Sequence, residues 1–579
     1  MEHTAGINGG WSRHGDTETG GIVLCRRESS VSMGALLVLI ALHWASGSAE
    51  AGALDLVSGK GGAEVMLTVD VNSKHPISPY IYGTNRLAYP SDPAKFITLD
   101  RAGGNRWTAY NWENNASNAG SDYNFQSDSF LGTGPAGESV RLIIDADQKL
   151  GIASLITVQL QGRVAADTAG PVTLGAAPDP KRFKEVVFEK KTLSADPFTT
   201  SPPTSDAYVY MDEFLWALDQ KFPGGRIFSS ASKRAPVFVS LDNEPELWFS
   251  THKEIQGGTV VNPDLYIHKS LQLAAALKAL FPEVVIFGPA HYGFYGLYSW
   301  QGTMTATVGG RDWFVDRYAR AIQTESVAAG RPLIDVYDIH WYSEATDSAG
   351  RRVTQLSGPA LTDDEIQTVV QSPRSFADPT YTERSWVAKA LGGPVNIIGR
   401  MKTKLAASNP KMKLAFTEYY NGGGQHIAGA LAEADTLGIF GKEGVFAACL
   451  WPMGNKEPYI NAGFRAFRNF DNAGTNFGDV SLGSTSSSPA DVALYAAADS
   501  GRPGHYTLVI INRANGPRSA SVRGLREAKH ARIFQMTADT PVRQGVITPV
   551  AVGDSGVTAA GLQTTLPPLS VTTVDISET

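Results

Sequence analysis

The amino-acid sequence predicts an α/β fold: a (β/α)8, TIM-like barrel carrying an additional β-sandwich domain. The barrel rests on eight short runs between residues 77 and 453 that are apolar and β-branched, as strands buried on both faces are. They occupy 77–83, 97–103, 153–159, 237–242, 284–288, 334–342, 412–419 and 445–451. Helical stretches at 265–280, 313–329, 395–407 and 427–440 fall between several of them, and such alternation is the barrel pattern. The sandwich rests on a change after about residue 478. There, 492–497, 506–511, 520–522, 531–535 and 571–576 read as strands separated by Gly, Ser, Pro and Asn turns, with no helix between. An open doubly wound sheet competes with the barrel, but no Gly-rich nucleotide fingerprint follows the first strand.

The chain divides accordingly. Residues 1–51 read as a signal peptide with an N-terminal extension, and 52–63 as a Gly-rich linker. Residues 76–477 form the barrel, and 64–75 join 478–579 in the sandwich. The second assignment follows from Val65, Leu67, Val69 and Val71, apolar at every second position. Arg26 and Arg27 precede a short apolar run, 35–42, then Ser46, Gly47, Ser48, Ala49 and Ala51, the order of an export signal cut near Ala49 or Ala51. The run is far shorter than the roughly 20 residues of a spanning helix. A secreted, extracellular chain is expected, with no membrane association after cleavage. Met33 is an alternative start, one that would discard both arginines.

Cys25 precedes the cut and Cys449 is the other cysteine, so the mature chain can form no internal disulfide. Cys449 sits in an apolar stretch, 445–450, and reads as a core residue. A net charge of -7 over 579 residues, without any basic run, argues against a nucleic-acid partner. Two long polar connections, 162–208 and 343–384, follow the third and sixth strands. Loops after barrel strands share the face where active sites sit, so these are candidates to wall a cleft; solvated decoration is the other reading.

Two acidic motifs carry the chemistry. Asp242, Asn243, Glu244, Pro245 and Glu246 end the fourth strand, where an apolar run delivers acids that are costly to bury without a pocket. Thr417, Glu418, Tyr419 and Tyr420 end the seventh strand, followed by Gly422, Gly423 and Gly424. In a closed eight-stranded barrel the fourth and seventh strands lie across from each other, so the two glutamates can face one another over a sugar.

The Asn-Glu plus Glu pattern resembles the large clan of retaining barrel glycosidases, and further segments narrow the resemblance to glycoside hydrolase family 44. They are 101–120, beginning Arg101-Ala102-Gly103-Gly104-Asn105, the opening 75–83, the Asp-Asn-Glu-Pro and Thr-Glu-Tyr-Tyr elements, and 335–342. The resemblance covers about residues 64–579. It implies a secreted retaining endo-β-1,4-glucanase acting on cellulose-type glucan or xyloglucan, with Glu244 as acid/base and Glu418 as nucleophile. The alternatives are another retaining barrel glycosidase (a xylanase, mannanase or arabinofuranosidase) and a non-catalytic polysaccharide-binding protein.

Substrate-binding candidates surround the two acids. Asn243 is placed to bond a sugar 2-hydroxyl, while Arg101 and Asn105 are placed to position Glu418 or substrate. His340 is read either as orienting a carboxylate or bonding a sugar, or as a structural histidine. Trp107, Trp112, Trp248, Trp341, Tyr342, Tyr420 and Trp451 lie at or past strand ends, where an aromatic wall suits the apolar faces of sugars; about half are expected to be packing only. Catalysis calls for no cofactor. No His or Cys pair has zinc spacing, and a structural calcium is a candidate for the acidic loops containing Asp347, Asp363, Asp364 and Glu365. The partner expected is a β-1,4-glucan, and the chain is expected to act as a monomer.

Overall fold

The structure, a computed structural model, describes residues 64–577 except 86–94, 176, 311, 455–456, 526–528, 544 and 557–560. The expected export signal and linker fall on residues 1–63, outside the described residues. Among the described residues no helix is long and apolar enough to cross a membrane.

Eight parallel strands close a barrel in chain order: Gly83–Asn85, Leu99–Ala102, Ala153–Val158, Val237–Leu241, Ile286–Tyr292, Val336–Tyr342, Lys413–Tyr420 and Ala447–Leu450. The first differs from expectation. Only the end of 77–83 joins the ladder, because Pro79 has no N–H to give and begins a 3-10 turn, Pro79–Ile81. That turn passes beneath the barrel, where Tyr80 lies edge-on to Phe238 with centroids 4.9 Å apart. The helices Pro263–Leu280, Phe314–Ala328, Ile397–Ser408 and Ile427–Glu443 stand close to their expected positions.

Side chains alternate along each strand, and the barrel interior is layered as a result. Leu99, Phe238, Phe287, Val336, Ala415, Ala447 and Cys449 share one buried apolar cluster inside the barrel. Two or more residues further along the same strands stand Arg101, Asp338, His340 and Tyr342. The strands thus carry apolar filling toward their N-terminal ends and polar groups toward the mouth.

The seventh strand breaks the alternation. Ile339 pairs with Phe416 but His340 pairs with Glu418, so Thr417 is an extra residue, a β-bulge. The register against the eighth strand slips in the same interval. Thr417 Oγ1 contacts the two Asp338 carboxylate oxygens at 2.7 and 2.8 Å, while Glu418 reaches Arg101 and Tyr342. Two consecutive side chains therefore both turn inward.

Nine further strands build one sheet. Val65–Pro76 lies within it, antiparallel to Val480–Ser486 and parallel to Arg518–Arg523. Residues from both ends of the sheet, Ile533 and Leu562 among them, meet in one apolar cluster, so the sheet folds over to enclose its own core. Three of its strands, Val480–Ser486, Val550–Gly556 and Leu562–Leu566, escape the sequence pattern because Ser, Thr and Gly blur their alternation. The opposite face gives Tyr495, Val509, Ile511 and Val571 to the barrel's outer core. Asp435, on the helix following the seventh strand, accepts there from the Tyr495 hydroxyl and from Arg513 Nη2, both at 2.5 Å.

The long polar connections are folded. The connection after the third strand contributes Arg163–Ala165, Phe183–Val187 and Tyr208–Tyr210 to a small sheet, held by Lys184 between Glu113 at 2.5 Å and Asp206 at 2.7 Å. After the sixth strand, Arg351 pairs with both Asp347 and Glu365, and Arg384 pairs with Asp364. Asp347, Asp364 and Glu365 thus tie the loop together through arginines.

Candidate active site

The fourth strand ends in a strained turn. Asp242 and Glu244 adopt left-handed backbone, with φ of 69° and 41°, a conformation costing about 1–2 kcal/mol for a residue with a β-carbon. Asp242 offsets this through four bonds: from Thr108 Oγ1 at 2.6 Å and from the N–H groups of Leu160, Gln161 and Asn243 at 2.6–2.9 Å. The Glu244 N–H donates to the Ala290 carbonyl at 2.9 Å. Asn243 and Glu244 are thereby turned over the barrel mouth.

Arg101 is the hub. Its guanidinium is fully buried and donates to Glu418 Oε1 at 2.7 Å, Asn85 Oδ1 at 3.0 Å and Asn243 Oδ1 at 2.9 Å. It also lies 3.2 Å from His340 Nε2. Arginine can only donate, so Nε2 accepts and the neutral ring carries its proton on Nδ1. Burial, Arg101 and His291 hold His340 well below its usual range, which keeps that ring neutral. Nδ1 therefore donates to Glu244 Oε1 at 2.8 Å. When Glu244 is protonated, its proton sits on Oε2.

The two carboxyls are unequal. Burial raises both, but Arg101 and the Tyr342 hydroxyl, 2.6 Å from Glu418 Oε2, pull Glu418 back toward ionisation. Glu244 stands well above the usual carboxylate range through burial first, then the charges of Glu418 and Glu246. Its side chain keeps 13% exposure, so solvent reaches its edge. One oxygen of each glutamate and a His340 ring nitrogen lie within 4.8 Å of one another. Arg101 and Tyr342 hold the two Glu418 oxygens, and His340 Nδ1 holds Glu244 Oε1.

A model for glycoside hydrolase family 44 matches residues 116–345. A Paenibacillus polymyxa xyloglucanase of family 44, solved with xyloglucan, superposes with a TM-score of 0.80 at 32% identity, covering 89% of this chain and 99% of that one. The chain belongs to glycoside hydrolase family 44. It is also 35% identical over 463 residues to endoglucanase A of Paenibacillus lautus, and 34% identical over 472 residues to beta-mannanase/endoglucanase A of Caldicellulosiruptor saccharolyticus. Each alignment covers 78% of this chain, but only 64% and 34% of those relatives' lengths.

In this family 44 chain Arg101, Asn243, Glu244, His340, Tyr342 and Glu418 form one hydrogen-bonded network. Asn105 borders it, its Oδ1 3.4 Å from Asn243 Nδ2. Trp451 stands half-buried at the mouth, and its ring lies where a β-carbon on Gly104 would sit, so glycine is required there. Three aromatic expectations need correction. Trp107 is buried against Tyr110, Trp112 stacks on Phe214 at 5.5 Å, and the buried Tyr420 bonds Glu457 at 2.5 Å; none presents a face to a ligand.

Sequence reasoning missed other members. Asn85 ties the Arg101 guanidinium to the carbonyls of Thr417 and Leu450. Asp338 holds the Thr417 bulge, and its spacing of two from His340 and four from Tyr342 was an available signal. The exposed aromatics of the mouth loops are Tyr123 and Phe130 after the second strand, and Tyr295 and Trp386 after the fifth and sixth. The last two stack with centroids 4.9 Å apart.

Proposed function

We propose that this chain is a secreted, retaining endo-β-1,4-glucanase that cleaves cellulose-type glucan or xyloglucan by double displacement. The observation carrying this reading is the unequal carboxyl pair at close range. Oxygens of the two carboxyls approach within 4.8 Å, close enough for the roughly 5–5.5 Å carboxyl separation of retaining enzymes.

Glu418, held toward ionisation by Arg101 and Tyr342, attacks the anomeric carbon. Glu244 gives its Oε2 proton to the departing glycosidic oxygen, leaving a glycosyl ester on Glu418. Glu244, now ionised, takes a proton from water as the water oxygen attacks the same carbon, and Glu418 leaves as carboxylate. Protons and charge balance with two carboxyls and water alone. Trp451 at the mouth, and the exposed Tyr123, Phe130, Tyr295 and Trp386 on loops that follow barrel strands, are the aromatic candidates for contact with a long chain.

The substrate class follows from the relatives, named as an endoglucanase, a beta-mannanase/endoglucanase and a xyloglucanase. Export rests on the basic, apolar, small-residue order of 26–51. The test is hydrolysis of carboxymethyl cellulose, xyloglucan and β-mannan by wild type, Glu244→Gln and Glu418→Gln, with NMR detection of the first anomer released. Loss of nearly all activity in both variants and initial release of the β-anomer support the reading. An initial α-anomer, or variants as active as wild type, would sink it.

A further inference from the structure

Glu246 is a second buried acid beside Glu244 that the double displacement does not use. It lies in the turn Pro245–Leu247 and is fully buried. Its Oε1 accepts the Tyr292 N–H at 2.7 Å and stands 3.8 Å from His291 Nδ1. Among the described residues, neither Oε2 nor His291 Nδ1 has a hydrogen-bond partner. A β-carbon on Gly296 would collide with both Glu246 Oε1 and His291 Nδ1, so the backbone of the helix Gly293–Ser299 lies directly against the pair.

The titratable groups around it come from five elements. Glu244 shares its turn, and His291 and Tyr292 come from the fifth strand. Tyr337 comes from the sixth strand, with its hydroxyl 3.0 Å from His291 Nε2. Tyr266 comes from Pro263–Leu280, and Tyr318 from Phe314–Ala328, its ring 5.9 Å from that of Tyr337. Among the described residues the only basic group within ion-pair distance is His291, which burial pushes down to about 3 and so leaves uncharged. A carboxylate at 246 has no counter-charge. Burial pushes this acid up to about 8, neutral in neutral solution and charged in mild alkali.

We propose that Glu246 is a positioning residue for the proton of Glu244: its negative charge, formed in alkaline solution, holds that proton and extends the range over which Glu244 acts as an acid. The inference rests on Glu244 being the acid/base. Its physics is repulsion between like charges out of reach of water, which disfavours ionising the second of two acids. Glu246 is among the charges that raise Glu244.

The test is the pH profile of kcat/KM on xyloglucan for the full chain, comparing wild type with Glu246→Gln. Glutamine keeps the shape and an oxygen for the Tyr292 N–H but can carry no charge. Its alkaline limb should fall about half to one pH unit lower than wild type, with near-normal activity at neutrality. Glu246→Asp, which restores a charge, should recover much of the range, and Glu246→Met carries the glutamine prediction if glutamine does not fold. On a dinitrophenyl cellobioside, whose leaving group needs no proton, wild type and Glu246→Gln should share one profile. A folded neutral variant whose alkaline limb coincides with wild type on xyloglucan overturns the proposal, as does a uniform loss at every pH. Full xyloglucan activity in Glu244→Gln would overturn it together with the acid/base assignment, an outcome distinct from any Glu246 result.

Discussion

The Tyr342 hydroxyl donates to Glu418 Oε2 at 2.6 Å, opposite the Arg101 bond to Oε1 at 2.7 Å, so each oxygen of the buried carboxylate has its own donor. A hydrogen bond to a charged group is worth about 1.5–3 kcal/mol. Tyr342→Phe removes it from the ionised form alone, so Glu418 should become a weaker acid. The acid limb of kcat/KM is expected to move up by about one pH unit, because the proposed attack by Glu418 needs the ionised form. An unmoved acid limb would show that Tyr342 serves substrate rather than Glu418.

Arg101 should matter more. In Arg101→Met the buried Glu418 loses its counter-charge, a change costing about 3–5 kcal/mol when the charge stays uncompensated. Glu418 is expected to take up a proton instead, and kcat/KM near neutrality should drop about 10²–10⁴-fold. Arg101→Lys restores charge without the planar fork that reaches Asn85, Asn243 and His340 together, so it should recover only part of the loss. Full recovery would show that charge alone suffices.

The sheet and the barrel are joined by a buried ion pair. Arg513 and Asp435 are almost inaccessible, with side-chain exposures of 3% and 0%. Asp435→Asn leaves the arginine charge unpaired and should cost about 3–5 kcal/mol. Calorimetry should show a marked fall in Tm, larger than for the doubly neutral Asp435→Asn/Arg513→Met. Equal losses in the single and double variants would mean that the contact is packing, not charge.

Glu433, on the same helix, accepts from the Tyr419 hydroxyl at 2.6 Å and is pushed by burial from 4.5 to about 8. Between those two values the folded chain holds one proton more than the unfolded chain at this site. Stability contributed here is therefore present below 4.5 and lost as pH rises toward 8, at up to about 1.4 kcal/mol per pH unit. Glu433→Gln should lose less Tm than wild type between acid and mildly alkaline solution. Parallel Tm curves for the two would contradict the assignment.

The sequence by itself determined the barrel, the sheet and the placement of two acids at the ends of the fourth and seventh strands. Apolar β-branched runs can stay buried only as central strands, and acids ending two of them can be tolerated only at a mouth. It did not determine which aromatics face that mouth. Trp107, Trp112 and Tyr420 follow strands as Trp451 does, but packing against Tyr110 and Phe214 and a bond to Glu457 turn them away. Tertiary structure alone decided how Glu418 meets its partners. Thr417 and Glu418 are neighbours that a regular strand would point to opposite faces. The bulge held by Asp338 and Asn85, residues 79 and 332 positions from Thr417 in the chain, lets both turn inward. Local pattern fixes what a segment can bury, but a one-residue slip in register is set by partners that only the closed barrel brings together.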